Sequence, residues 1–265
     1  MSIKRQLKIM LMLLKMRLSR NMSFRFSFFG VLFVDGSMFI IQILMFKAIY
    51  SQVGSIGGWD QAQMLVFIGT FSIINALNMF LYFFGVNSIP SKIKSGELDL
   101  YVTKPVNSLF HLSFENIDVG SVPLLFASVG IVIYATLGLG TSVSLLTILG
   151  YTFLVIIMTV LWYDMMVILR TIPFFVIQAS SIERLEGEVI NLCLKIPGTL
   201  FKGAFKVLFY LVLPYGIMAT IPTEFFSGTL TPVGFAYAVA VVTGFTAFTL
   251  LFWKLGLRSY KSASS

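Results

Sequence analysis

Charge is scarce in this chain. Of 265 residues, 11% are Asp, Glu, Lys or Arg, against about 25% in soluble domains, and so little charge cannot cover a water-exposed surface. Cysteine is nearly missing. Cys193 stands alone, so no intramolecular disulfide can form and the redox compartment cannot be read from it. His111 is the single histidine; one His and one Cys do not make a usual zinc site without carboxylates, and a structural role for His111 is expected. No Gly-Lys pair occurs anywhere. That excludes the phosphate-cradling loop G-x-x-x-x-G-K-[ST], whose backbone amides and lysine hold ATP. A Gly-x-Ser-x-Gly nucleophile turn is missing too, and no two carboxylates sit together inside the apolar runs. A membrane enzyme is therefore the weakest reading. The basic N-terminus is not followed by a short apolar core with a small-residue cleavage site, so no removable signal peptide is expected. No internal repeat is visible, which weighs slightly against a secondary transporter built from inverted halves.

What the chain has is apolar sequence from end to end. Apolar residues make up 57%, with 27 Phe and 13 Met, and the mean hydropathy is +0.92. A spanning helix needs about 20 mostly apolar residues. Between Arg25 and Lys47 only Asp35 interrupts such a run; between Asp60 and Lys92, and again between Asp118 and Asp164, there is no charge at all. The last run is long enough for two helices, and paired glycines in Leu137-Gly-Leu-Gly-Thr-Ser142 mark a turn between them. Two further runs follow. The fold class expected is an all-α integral membrane domain over 1–265 with six spans: 26–49, 63–87, 119–138, 144–168, 203–222 and 232–253. The fourth continues as Thr-Ile-Pro-Phe-Phe-Val-Ile-Gln178, either a kinked extension or an interfacial stretch.

The net charge of +8 is distributed between the runs and at the ends, as topology signals are. An anionic lipid leaflet is its expected partner, not nucleic acid. With the N-terminus inside, every lysine and arginine except Lys47 falls on the inner side, Lys195, Lys202 and Lys206 included. Both termini are thus expected in the cytoplasm. In residues 1–25, Ile3, Leu7, Met10, Leu11, Leu14 and Leu18 form one helical stripe flanked by Lys4, Lys8 and Lys15. The segment reads as an amphipathic helix in the inner interface, or as a leader that only sets topology.

Polar residues inside spans are costly. Asp35 in the first span either lines a substrate or subunit interface or serves as a structural hydrogen-bonding group. Asn75 and Asn78 share a face of the second span with Ser72 and either bond another helix or line a path. The inner connection Ile89–Asn107 is short, mixed in charge and bounded by prolines. Gly96 permits a turn there, Glu97 and Asp99 offer acceptors, and Lys92, Lys94 and Lys104 offer charge.

This segment carries a family resemblance. Gly96-Glu-Leu-Asp99 followed by Lys104-Pro-Val106 resembles the G-x-L-D and K/R-P-V signature of permease subunits of type-2 ATP-binding-cassette exporters. Gly57-Gly-Trp59 before the second span, Leu213-Pro214 and Pro222 are similar to that family as well, while Phe174-Phe175 stands where Phe-Trp is expected. The likeness covers most of the chain. It implies a permease that pairs with a like or unlike second permease. It binds no cofactor itself and is driven by separate ATPase subunits that hold ATP and Mg²⁺. It further implies that Lys92, Lys94, Gly96, Glu97, Asp99, Lys104 and Pro105 form the loop that docks on the ATPase, with help from the N-terminal helix. A stand-alone transporter or channel is the alternative, and an assembly or regulatory membrane subunit a further one.

Overall fold

A computed structural model describes residues 25–139, 143–176 and 180–260. The proposed N-terminal interfacial helix lies almost wholly outside these residues. Among the described residues the chain is helical, with one isolated antiparallel bridge between Ile56 and Trp59.

The first long helix, α1, is Arg25–Tyr50. Its bounds match the helix expected over 26–49, but its apolar part is the shorter Gly36–Tyr50, and Phe39, Gln42 and Phe46 form its buried stripe. Asp35 lies on this helix; its side chain is outside the described set. A tight connection follows, and α2, Gln61–Asn78, starts at a capping box: Asp60 accepts from the Gln63 amide at 2.8 Å and Gln63 accepts back from the Asp60 amide at 2.9 Å. A π turn, Met79–Phe83, then α3, Phe84–Asn87, and α4, Ile89–Ser95, carry the helical path on. Gln61–Ser95 is one helical stretch of 35 residues. The expected loop after residue 87 is therefore still helix: Pro90 sits in the first turn of α4, where its missing N–H costs nothing.

After Gly96 come α5, Asp99–Val102, and α6, Ser108–Phe114. A 3-10 turn, Val119–Ser121, leads into α7, Val122–Leu139. The next helix, α8, Leu145–Thr171, is capped by Ser144, whose hydroxyl accepts from the Thr147 amide at 3.1 Å. It continues as a 3-10 turn, Ile172–Phe174, so the sequence after Arg170 begins as an extension of the fourth span. The amphipathic α9 is Ser180–Lys195. Then come α10, Gly203–Val207, a π turn Leu208–Val212, α11, Tyr215–Met218, α12, Thr220–Phe226, and α13, Pro232–Ser259.

Four described helices are long and apolar enough to cross a membrane: Gln61–Ser95, Val119–Gly138, Leu145–Phe174 and Pro232–Ser259. A bent pair, Gly203–Val212 with Tyr215–Phe226, makes a fifth if counted as one. The core lies where α2 and α8 meet α7, α12 and α13. Phe67, Ile68, Ile74, Leu154, Met158 and Leu161 are fully enclosed there, and Thr70 and Tyr151 share a hydrogen bond of 2.8 Å across α2 and α8. Ser72, predicted on the polar face of the second span, pairs its hydroxyl with Ser128 on α7.

The expected fifth span over 203–222 is bent rather than continuous. The two arms of 203–226 meet at 79°. A π turn misaligns the helix ladder at Leu208–Val212, and Pro214 has no N–H with which to continue it. The end of the bundle that holds Gly57 also holds the end of α7 and the start of α8. Gly138 packs on Ala62, and Gly150 on Phe225. Thr199 and Leu200 sit against Gly57, so close that a Cβ on that glycine would lie 2.8 Å from Leu200 Cδ2. The Lys206 ammonium lies 5.5 Å from the Tyr210 ring, and Tyr237 near the start of α13 donates to the Tyr210 carbonyl at 2.6 Å. The chain thus reaches the Gly57 end by residue 200. Lys202 and Lys206, assigned by charge counting to the end that holds Gly96, are at the opposite one.

Candidate functional site

The segment with the strongest sequence signature is a stiff helical reversal at the end of the bundle opposite Gly57. Gly96 makes it possible: its φ of 77° ends α4 in the left-handed region, where a side chain costs about 1–2 kcal/mol. The chain then folds back on itself. The Leu98 amide donates to the Lys92 carbonyl at 3.2 Å and the Asp99 amide to the Gly96 carbonyl at 3.2 Å. Leu98 is fully buried and anchors the turn from beneath. The four residues of the Gly96–Asp99 signature therefore have distinct tasks: reversal, exposed charge, apolar anchor and the first residue of α5.

The lysines divide sharply. Lys92 is turned inward. Its ammonium donates to the Tyr101 hydroxyl at 2.9 Å and pairs with Glu115, while Tyr101 donates to the other Glu115 oxygen at 2.6 Å. Lys94 and Lys104 are exposed, as are Glu97 and Pro105. The Lys104 ammonium lies 5.3 Å from the face of Tyr101, and the His111 ring lies 5.1 Å from it. Tyr101 thus gathers α4, α5 and α6 around one ring. Burial first, then the positive charges of Lys104 and Lys92, holds the His111 pKa below its ordinary value. Burial first, and then the Asp99 carboxylate, raises the Tyr260 pKa above its ordinary value.

Two apolar side chains stand outward beside these charges: Leu100 is 63% exposed and Val102 is 48% exposed. Sequence reading chose the charged residues of the segment and missed Leu100, Tyr101, Val102 and Glu115. The available signal was the Leu-Tyr-Val triplet itself, too short to span and placed in a polar connection. The return strut α6 is capped by Asn107, whose side chain accepts from the Phe110 amide at 3.1 Å. It lies against α3 so tightly that a Cβ on Gly85 would run into the backbone carbonyls of Leu112 and Ser113. The reversal is braced from both sides.

Asn75 and Asn78 are not brought to it. Asn75 is half-buried and donates weakly to Met79 Sδ at 3.9 Å; Asn78 is buried, and its Oδ1 has no partner among the described residues. A second polar knot went unread in the sequence. Arg170 on α8 pairs with Glu186 on α9 and donates to Asn87 Oδ1 at 3.1 Å, while Tyr215 on α11 donates to Glu186 at 2.7 Å. It ties four helices together near the reversal's end of the bundle. Further along α8, Asp164 accepts from Thr246 on α13 at 2.6 Å. Among the described residues no group of three or more His, Cys, Asp or Glu is placed to hold a metal ion.

Residues 37–264 match the family described as ABC-2 family transporter protein. The chain belongs to that family. It is accordingly a multi-pass membrane protein and a permease component of an ATP-binding-cassette transporter, a membrane part that is not itself catalytic. Comparison with curated proteins and with solved structures finds no match. The ABC-2 match begins at Ser37 and so takes in the whole reversal, the polar knot and the bent 203–226 segment.

Proposed function

We propose that this ABC-2 permease is the membrane half of an exporter. On this reading it crosses the cell membrane six times with both termini in the cytoplasm, forms a substrate path with a second permease, and is driven by separate ATPase subunits that hold ATP and Mg²⁺. The observation that carries the reading is the braced reversal of residues 92–107. A subunit with no nucleotide loop must receive its free energy through a contact, and a contact that transmits force has to be rigid. The Gly96 turn, the Lys92–Tyr101–Glu115 knot and the Gly85 contact supply rigidity. Leu100 and Val102, ringed by Lys94, Glu97, Lys104 and Pro105, supply an apolar centre with a charged rim, the usual anatomy of a specific protein interface. The Gly96 end is then the cytoplasmic one. Lys92 serves from inside, holding α5, and the docking surface is the outward set.

The test is capture of the ATPase from native membranes. The pair Leu100→Asp/Val102→Asp is expected to lose most of it and to lose stimulated ATP hydrolysis, with Lys104→Glu weakening both. Full capture and stimulation by the Leu100/Val102 pair would contradict the reading.

A further inference from the structure

The helix α9 does not belong on a lipid-facing surface. Its Glu186 is bonded to Arg170 and Tyr215 near the Gly96 end, and Gln42 on α1 donates to the Leu194 carbonyl at 2.6 Å. Thr199 and Leu200 have reached Gly57 at the other end. Glu186 to Lys195 rises about 14 Å at the helical 1.5 Å per residue, so Lys195 stands near the middle of a hydrocarbon layer of about 30 Å. Gln42 lies eight residues before Tyr50, the end of α1 at the Gly57 side, and places Leu194 at the same depth. The buried face of α9 is Glu186, Val189, Ile190 and Cys193. The opposite face is exposed and carries the polar stripe Arg184, Glu188, Asn191, Lys195 at positions i, i+4, i+7 and i+11, with exposed Leu185 and Leu192 along one flank.

The outward faces of other helices differ in kind. On α7 they are Phe126, Ile133 and Leu137; on α13, Val233, Leu251 and Leu255, all compatible with acyl chains. Lys195 in hydrocarbon would carry a heavy desolvation cost, and charged residues at membrane depth face protein or water instead; Glu188 lies about 3 Å along the helix from Glu186, on the Gly96 side of the layer. We infer that the Arg184–Lys195 stripe is one wall of a water-filled path through the membrane, closed by the second permease and carrying hydrophilic, charge-bearing solutes. The inference deepens the proposed function and rests on its pairing of two permeases. Both charge signs and an amide are presented along one line, so a solute bearing polar or ionic groups meets a complementary partner at each turn of the helix. A lipid-soluble solute would meet unpaired charge.

The experiment reads water access on the assembled transporter in lipid vesicles. In a Cys193→Ala background, Glu188→Cys, Asn191→Cys and Lys195→Cys are exposed to membrane-impermeant methanethiosulfonates, one cationic and one anionic, with Phe126→Cys and Ile133→Cys as lipid-facing references. The stripe positions are expected to react at least tenfold faster than the references with both reagents. A measurement that needs no substitution accompanies it: water-soluble carbodiimide with an amine nucleophile should label Glu188 and spare Glu186 in the unaltered chain. Stripe cysteines that react no faster than the references overturn the inference. So does a stripe that resists both reagents and forms disulfides between two copies, which would make this face a dry subunit contact. Loss of ATPase capture with the labelling pattern intact counts against the proposed function and not against the path.

Discussion

Lys92 and Lys104 stand twelve residues apart in one signature segment and have opposite fates. Lys92 is enclosed with Tyr101 and Glu115, whereas Lys104 is outside. Charge type alone cannot separate them; burial by neighbouring helices does. The same lesson holds for Arg170, which topology counting uses as a positive marker and the fold uses as half of a buried pair, with side-chain exposures of 6% and 3% for Arg170 and Glu186. Leaving one charge of such a pair without its partner costs about 3–5 kcal/mol. Arg170→Met is expected to lower stability by that order in denaturant titration of the purified protein, and Arg170→Met with Glu186→Leu to recover much of it. A double variant as unstable as the single one would contradict the account. At His111 the sign is that of a base whose folded pKa is depressed. The folded state resists protonation, so stability is full above the ordinary histidine pKa of about 6.5 and falls as pH drops below it. The thermal midpoint in lipid nanodiscs is expected to fall between pH 7.5 and pH 5.5. His111→Gln should remove part of that fall, and an unchanged pH response in that variant would count against it.

Among the elements, those marked by uninterrupted apolar sequence were legible. The cores of α2, α7, α8 and α13 lie where the long apolar runs predict them. The glycine-marked break between α7 and α8 falls in the right place as well, since α7 ends at Leu139 and α8 begins at Leu145. Two elements were not legible, for different physical reasons. The bend in 203–226 comes from a π turn and a proline in a run whose hydropathy is continuous, and hydropathy does not register backbone direction. Helix α9 was passed over because it is too polar to count as a span, although its contacts carry it from the Glu186 pair to the level of Gln42. Its polar periodicity was visible in the sequence; its depth was not. At the reversal, Gly96 was identified correctly as the turn, and its left-handed φ gives the prediction its size. Gly96→Ala is expected to cost about 1–2 kcal/mol and to speed amide exchange across 92–103. Unchanged protection there would contradict the turn. Gly85→Ala should push α6 from α3 and release the same segment from the opposite side, read as faster exchange at 108–114.

At the scale of the whole molecule, the chain has two unlike ends. The Gly57 end holds the two ends of the bent 203–226 segment, whose Tyr215 reaches inward to Glu186, and the start of α13. The Gly96 end holds a braced, partly apolar projection. Movement imposed on the reversal has a route through Asn87, Arg170 and Glu186 to α9. On the proposed reading, such a route joins the ATPase contact to a helix that borders the path. The most direct measurement of this claim places a photo-activated cross-linking amino acid at position 100 and, in a separate protein, at position 53 near the Gly57 end, in native membranes. The account predicts a cross-link from position 100 to an ATP-binding-cassette ATPase subunit, identified by mass spectrometry, and none from position 53. An ATPase adduct from position 53, or no adduct from position 100 while the ATPase still co-purifies, would contradict it.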